Sequence, residues 1–238
     1  MKTAKDYIIF PLDVSDVSDA IQLINELKNY VGIFKIGLQL YLNAGVNIID
    51  YIKNNTDCKV FLDLKLHDIP NTIKMAIKKI DKMNVDFTTV HYGDAPNGIK
   101  IAVDTAKNVK ILAVTLLTST GDYITPNLAN QTIISSTDVV LFRAKHAHSN
   151  GCYGVVCSPQ ETIAIKKLKL SNLKLITPGI RLINNKVQND DQKRITTPTQ
   201  AIINGSDYLV IGRPIREALS PKSEVKLIID DIEEILKD

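Results

Sequence analysis

The sequence predicts an α/β chain closed into a (β/α)8 TIM barrel, a single domain over residues 1–238. Three observations carry that reading. Eight short apolar runs alternate with eight helical segments. No Pro/Gly-rich linker or shift in composition divides them. Most of the runs close on a polar or charged residue. Strands separated by helices pair in parallel, and eight such repeats in a chain of this length match a barrel. The alternative is a doubly wound open sheet, whose first strand leads into a Gly-rich phosphate turn. Here Asp13-Val14-Ser15-Asp16 follows the first strand instead.

Taken in order, the first strand covers 7–12 and ends in Asp13. Ser15 or Asp16 caps a helix whose apolar positions Val17, Ile21, Ile24 and Leu27 keep helical spacing. The second strand, 31–36, carries Lys35 near its end, and one helix over 41–54 follows. The third begins at Cys58 and is closed by Asp63, and Pro70 opens the next helix. The fourth, 86–90, ends in His91 and is followed by a helix over 96–106. The fifth, 110–117, closes on Thr118. Residues 122–130 read as a loop with a turn of helix, and 132–149 as a longer helix. Strand six, 153–157, has a helix over 159–168, and strand seven, 173–177, runs into Pro178-Gly179-Ile180-Arg181 and a polar loop over 184–194. After a helix over 198–204, strand eight, 207–211, leads to Gly212-Arg213-Pro214. A last helix covers 223–236.

The bulk properties narrow the function. The 238 residues, 45% hydrophobic and 23% charged, suffice for one sizeable core. A net charge of +3 without a Lys/Arg-rich run argues against nucleic acid but suits an anionic small molecule. With 5% aromatics and no Trp there is no stacking platform for bases. Cys58, Cys152 and Cys157 lie in apolar runs without metal-ligand spacing and read as reduced core residues. No apolar run approaches membrane-spanning length, and the N-terminus enters the first strand without a signal-peptide core, so a cytoplasmic protein is expected.

The chemistry concentrates in Asp63-Leu64-Lys65-Leu66-His67-Asp68-Ile69-Pro70-Asn71-Thr72. Residues two apart on a strand share a face, so Asp63 and Lys65 point together and Leu62, Leu64 and Leu66 point away. Charges are rarely buried unless paired, and paired charges at a strand end are a device of active sites; a structural ion pair at a sheet edge is the plainer reading. In a barrel the site lies at the C-terminal strand ends. Those ends carry Asp13, Lys35, Asp63, Lys65, His91, Thr118, Arg181 and Arg213. The two Gly-Arg turns, after strands seven and eight, stand where such barrels grip phosphate. Glycine lets backbone N–H groups approach an anion, and arginine offers planar permanent donors. His67 points away from the charged face and reads as a packing or hydrogen-bonding residue, and His146 and His148 as a solvated helix end.

Together with Pro11-Leu12-Asp13, Phe34-Lys35-Ile36-Gly37, Val114-Thr115-Leu116-Leu117-Thr118-Ser119, Thr177-Pro178-Gly179-Ile180-Arg181, Asp191-Gln192-Lys193-Arg194 and Val210-Ile211-Gly212-Arg213-Pro214, that stretch resembles the orotidine 5'-phosphate decarboxylase family over nearly the whole chain. His91-Tyr92-Gly93-Asp94-Ala95-Pro96 departs from the family pattern, in which small residues follow the histidine. The resemblance implies conversion of orotidine 5'-phosphate to UMP and CO2, the last step of de novo pyrimidine synthesis, with no metal and no organic cofactor. It assigns catalysis to Lys65, Asp63, Asp68 and Lys35. Asp13, Lys35 and Asp63 contact substrate, Thr118 the pyrimidine, and Arg181, Gln192, Gly212 and Arg213 the phosphate. Asp68, Ile69 and Thr72 are supplied by a second subunit, which implies a homodimer with shared active sites and no nucleic-acid or membrane partner. A metal-dependent sugar-phosphate decarboxylase or aldolase on the same barrel, and a non-catalytic phosphate-binding protein, are the alternatives.

Overall fold

A computed structural model describes residues 2–92, 97–117, 125–126, 133–182 and 196–237. A 3-10 turn, Ala4–Tyr7, leads into β1 (Ile8–Pro11), α1 (Val17–Leu27), β2 (Ile33–Gly37), α2 (Leu38–Ala44), α3 (Asn47–Asn55), β3 (Lys59–Leu66) and α4 (Pro70–Ile80). Then come β4 (Phe87–His91), α5 (Asn97–Thr105), β5 (Lys110–Val114), β6 (Thr125–Pro126), β7 (Ile133–Ile134), α6 (Ser136–Ser149) and β8 (Gly154–Val156). The chain finishes with α7 (Thr162–Lys167), β9 (Lys174–Thr177), α8 (Pro198–Ile203), β10 (Tyr208–Val210), α9 (Arg213–Arg216) and α10 (Pro221–Leu236). Eight parallel strands close the barrel in the order β1-β2-β3-β4-β5-β8-β9-β10 and back to β1.

The period of two along each strand builds two cores. Outward residues such as Phe10, Phe34, Val60 and Leu62 meet the helices. Those helices bury one stripe each, as Ile73, Ile77 and Ile80 do on α4 and Val225, Ile228 and Ile232 on α10. Inward residues Ile9, Ile33, Phe61, Phe87, Leu112, Ile176 and Tyr208 fill the barrel as an apolar plug. The rings of Phe61 and Phe87 meet edge to face at 6.3 Å, a favoured aromatic geometry. Above this plug, toward the C-terminal strand ends, the inward positions of β2, β3 and β4 turn polar, while those of the other strands stay apolar.

Four elements differ from the sequence reading. Strand three does not stop at Asp63 but runs to Leu66. The helix over 41–54 is two helices, broken at Gly45, whose φ of 58° is left-handed. The stretch 122–130 holds β6, which pairs antiparallel with β7, so the following helix begins only at Ser136. Its cap is Ser135, whose hydroxyl accepts the Asp138 N–H at 3.1 Å. Strand five ends at Val114 rather than at 117, where the Thr115 N–H and hydroxyl both turn onto the Val156 carbonyl. The three cysteines are free and buried, as the sequence suggested, and burial pushes the Cys152 thiol up to about 12.

Candidate active site

The plug ends at Phe61, and above it opens a cavity of about 280 Å³. One side carries Asp13, Lys35, Asp63 and Lys65; Val114, Leu116, Leu117, Val156, Ile176, Pro178 and Val210 supply apolar walls. The charged side chains form one row of alternating sign. Asp13 Oδ1 lies 3.2 Å from Lys35 Nζ, Lys35 Nζ lies 3.5 Å from Asp63 Oδ2, and the same Oδ2 lies 2.8 Å from Lys65 Nζ. Each member comes from the C-terminal part of a different strand or loop, except Asp63 and Lys65, which share β3.

That pair is made by an irregular strand. The β3–β4 ladder pairs Leu62 with Thr88 and resumes at Leu66 with Val90, four residues advancing on one side against two on the other. Lys65 lies in this bulge with a left-handed φ of 49°. Such a conformation costs a non-glycine residue about 1–3 kcal/mol and is concentrated at functional sites. Bulges re-aim side chains next to active sites, and here the ammonium turns into the cavity.

The electrostatics follow from burial and pairing. Burial alone would raise the Asp63 pKa; Lys35 and Lys65, with hydrogen bonds from Lys65 and Thr89, outweigh it and hold the carboxyl below its ordinary value. Burial alone would lower Lys35; the Asp63 and Asp13 carboxylates outweigh it and hold the ammonium above its ordinary value. Both Asp63 oxygens are engaged, Oδ2 by the two ammoniums and Oδ1 by the Thr89 hydroxyl at 2.8 Å. The two neighbouring cations disfavour a divalent cation at this carboxylate.

A second pocket of about 330 Å³ adjoins the first through Pro11, Asp13, Pro178 and Val210. It is lined further by Gly179, Arg181, Gly212, Arg213 and Arg216. Gly179 has a left-handed φ of 81°. A Cβ on Gly212 would meet Pro11 Cγ at 2.8 Å, so only glycine lets this turn approach β1. Arg181 is buried, with Nη1 donating to the Ile180 carbonyl at 2.8 Å.

The structure thus brings together Asp13, Lys35, Asp63 and Lys65, and separately Arg181, Gly212 and Arg213. Asp68, Ile69 and Thr72 line neither pocket of their own chain. All three are exposed, and Asp68 Oδ1 accepts the Ile69 N–H at 2.7 Å. Thr118, Gln192 and the Asp190–Arg194 run lie outside the described residues. His67 is exposed and its ring sits 5.6 Å from that of His91. His146 contacts the Asn150 amide at 3.2 Å and His148 the Ser171 carbonyl at 3.1 Å. No group of three His, Cys, Asp or Glu side chains converges on a metal-sized site among the described residues.

The profile of the Orotidine 5'-phosphate decarboxylase / HUMPS family matches residues 6–228. The chain belongs to this family. It is 42% identical to the orotidine 5'-phosphate decarboxylase of Desulfosudis oleivorans, over 99% of this chain and 96% of that one. Identity to the enzyme of the same name from Rhodopseudomonas palustris is 41%, over 96% and 95%. A crystal structure of orotidine 5'-phosphate decarboxylase from Lactobacillus acidophilus superposes with a TM-score of 0.80 at 32% identity, covering 95% of this chain and 99% of that one. As a member of the orotidine 5'-phosphate decarboxylase / HUMPS family with relatives this near, the chain is an enzyme, a carboxy-lyase. No helix among its described residues is long and apolar enough to cross a membrane.

The departure from the family pattern has a local account at Tyr92. The Arg143 guanidinium lies 4.9 Å over its ring, and the His146 ring meets it edge-on at 5.3 Å. Arg143 also donates to the Thr115 carbonyl, bracing the exit of β5. Sequence reasoning missed two residues. Arg216 lines the arginine pocket and its Nη1 donates to the Asp13 carbonyl at 2.8 Å; its spacing of three from Arg213, one turn along a helix, was the available signal. Thr89 binds Asp63, and its place two residues beyond Phe87 on an inward row was the signal.

Proposed function

We propose that this chain decarboxylates orotidine 5'-phosphate to UMP and CO2, the last step of de novo UMP synthesis, as a cytoplasmic homodimer with shared active sites. The observation that carries the proposal is the alternating row Asp13–Lys35–Asp63–Lys65, set between an apolar cavity and an arginine-lined pocket. The cavity suits a pyrimidine and the pocket a phosphate. The row supplies fixed charge at the reacting carbon between them.

When the C6–carboxylate bond breaks, the electron pair stays on C6, in an orbital without conjugation to a carbonyl. Stabilisation must then come from charge already in place. The Lys65 ammonium faces the developing carbanion and delivers the proton that replaces CO2. Asp63 flanks the substrate carboxylate and, 2.8 Å from Lys65, favours its charged form. Lys35, between Asp63 and Asp13, fixes the row and reaches a ribose hydroxyl, while Asp13 binds the ribose and Thr118 the ring. Arg181, Gln192, Gly212 and Arg213 hold the phosphate. Binding energy from this remote group is available to raise the rate at C6. The exposed Asp68, Ile69 and Thr72 act in the neighbouring subunit's site, consistent with their absence from the pockets of their own chain. No cofactor enters the scheme.

The test is the fall in orotidine 5'-phosphate absorbance on adding purified protein in excess EDTA. Turnover is expected, with Lys65→Ala lowering kcat by more than about 1,000-fold while UMP still binds. Activity confined to Mg2+ and a sugar-phosphate acid would replace this chemistry with that of metal-dependent relatives, and near-normal turnover by Lys65→Ala would overturn the mechanism.

A further inference from the structure

On three neighbouring inward rows the residue two beyond the plug position is polar: Lys35 after Ile33, Asp63 after Phe61, Thr89 after Phe87. Thr89 is fully buried, at 0% exposure. Its hydroxyl donates to Asp63 Oδ1 at 2.8 Å and accepts the Lys65 backbone N–H at 2.9 Å. A hydroxyl has one proton to give and lone pairs to accept with, and here both capacities go to Asp63 and Lys65 of β3.

We infer that Thr89 is a positioning residue for the decarboxylation, one that sets the Asp63 carboxylate and the Lys65 backbone against each other. The inference rests on the decarboxylase reading above. It follows from what each partner lacks. In the β3–β4 bulge the ladder supplies no backbone acceptor for the Lys65 N–H, and the Thr89 oxygen takes that place. An amide left unpaired there would be free to leave the left-handed conformation that aims the ammonium into the cavity. On Asp63 both ammoniums crowd Oδ2, and among the described residues Thr89 is the side-chain donor that holds Oδ1. Without that anchor the carboxylate plane is free to turn and the shared contact to Lys35 and Lys65 loosens. The next residue back serves as a control. Thr88 is equally buried at 0% exposure, but its hydroxyl donates to a backbone carbonyl, that of Leu62, at 2.9 Å.

The experiment measures kcat, KM, UMP affinity and the kcat–pH profile in EDTA for wild type, Thr89→Val, Thr89→Ala, Thr89→Ser and Thr88→Val, each checked for folding by its thermal transition. Thr89→Val and Thr89→Ala are expected to lower kcat by roughly 100-fold, the scale of a small misplacement of reacting groups, with UMP affinity retained. The acid limb of their profile moves to higher pH, because Asp63 loses a donor that favours its anion among Lys35, Lys65 and Asp13. Thr89→Ser restores turnover, and Thr88→Val keeps wild-type kcat. Wild-type kcat and pH profile in folded Thr89→Val or Thr89→Ala would overturn the inference. So would a folded Thr89→Ser as impaired as either, or an equal loss in Thr88→Val. If both apolar variants fail to fold, Thr89→Cys, which stays close to the side-chain size but is a weak donor and acceptor, takes their place: a similar loss of kcat is expected, and wild-type kcat in the folded variant would overturn the inference. Wild-type protein without turnover would sink the decarboxylase reading itself, a separate outcome.

Discussion

Single residues at this site act through what faces them. On the proposed function Arg213 gives the phosphate charge-assisted hydrogen bonds, each about 1.5–3 kcal/mol, so Arg213→Ala is expected to lower kcat/KM for orotidine 5'-phosphate roughly 10- to 150-fold. On the same reading, added phosphite dianion should accelerate turnover of a substrate lacking its phosphate in wild type, since one pocket would take either anion. His91 tests the electrostatics of burial. Its pKa is lowered from 6.5 by burial first, then by His67 and Arg143. A group with a depressed folded-state pKa gives stability that is complete above its unfolded value and lost as pH falls through the folded one. His91→Gln should therefore gain Tm relative to wild type as pH drops below 6.5, with the gap levelling once the folded-state histidine is protonated. A gap that is flat with pH would contradict the lowered pKa of the half-buried His91. The sequence offered Lys65 and Asp63 by parity alone. The left-handed turn at Lys65 was not legible, because lysine gives no local signal for positive φ; its N–H partner, the Thr89 hydroxyl, comes from the neighbouring strand.

At the scale of elements, the strands are tied at both ends by different chemistry. At their entrances, aspartates clip neighbours together. Asp86 Oδ2 accepts the Val60 N–H at 2.8 Å and binds Lys53 at 2.6 Å, and Asp207 accepts the Leu175 N–H at 3.0 Å while pairing with Lys166 and Lys174. In the middle, the plug is apolar. Phe87 is 2% exposed and its ring lies 5.6 Å from Tyr153 and 5.9 Å from Tyr208. Phe87→Ala is expected to destabilise the fold by about 3–5 kcal/mol, read in urea denaturation as a lower midpoint with unchanged slope. A loss under about 1 kcal/mol would mean the barrel collapses around the gap. Strand order and helix alternation were readable because each strand carries its own period of two. The break at Gly45 and the β6–β7 pair were not. A lone glycine is tolerated within a helical pattern, and a pairing of two-residue strands leaves almost no periodicity to read.

For the whole molecule, the proposed shared site makes a sharp demand. If Asp68 serves the partner, inactive Lys65→Ala and Asp68→Ala proteins should complement when their subunits exchange. Only the mixed dimer holds an intact site, one of its two, so random pairing restores about a quarter of the sites. Activity that never rises above that of the separate variants would place Asp68 in its own subunit's site. What the sequence by itself determined is the barrel, the end of it that carries charge, and the separation of a charged strand from two Gly-Arg turns; these are properties of alternation and of residues close in the chain. Only the tertiary structure decided that Asp13, Lys35, Asp63 and Lys65 form one continuous row, that Arg216 joins the arginine pocket, and that Thr89 spans Asp63 and Lys65. Those contacts join separate strands and loops, and their geometry is set by barrel closure and by a strand bulge, neither of which is encoded in any local stretch of the chain.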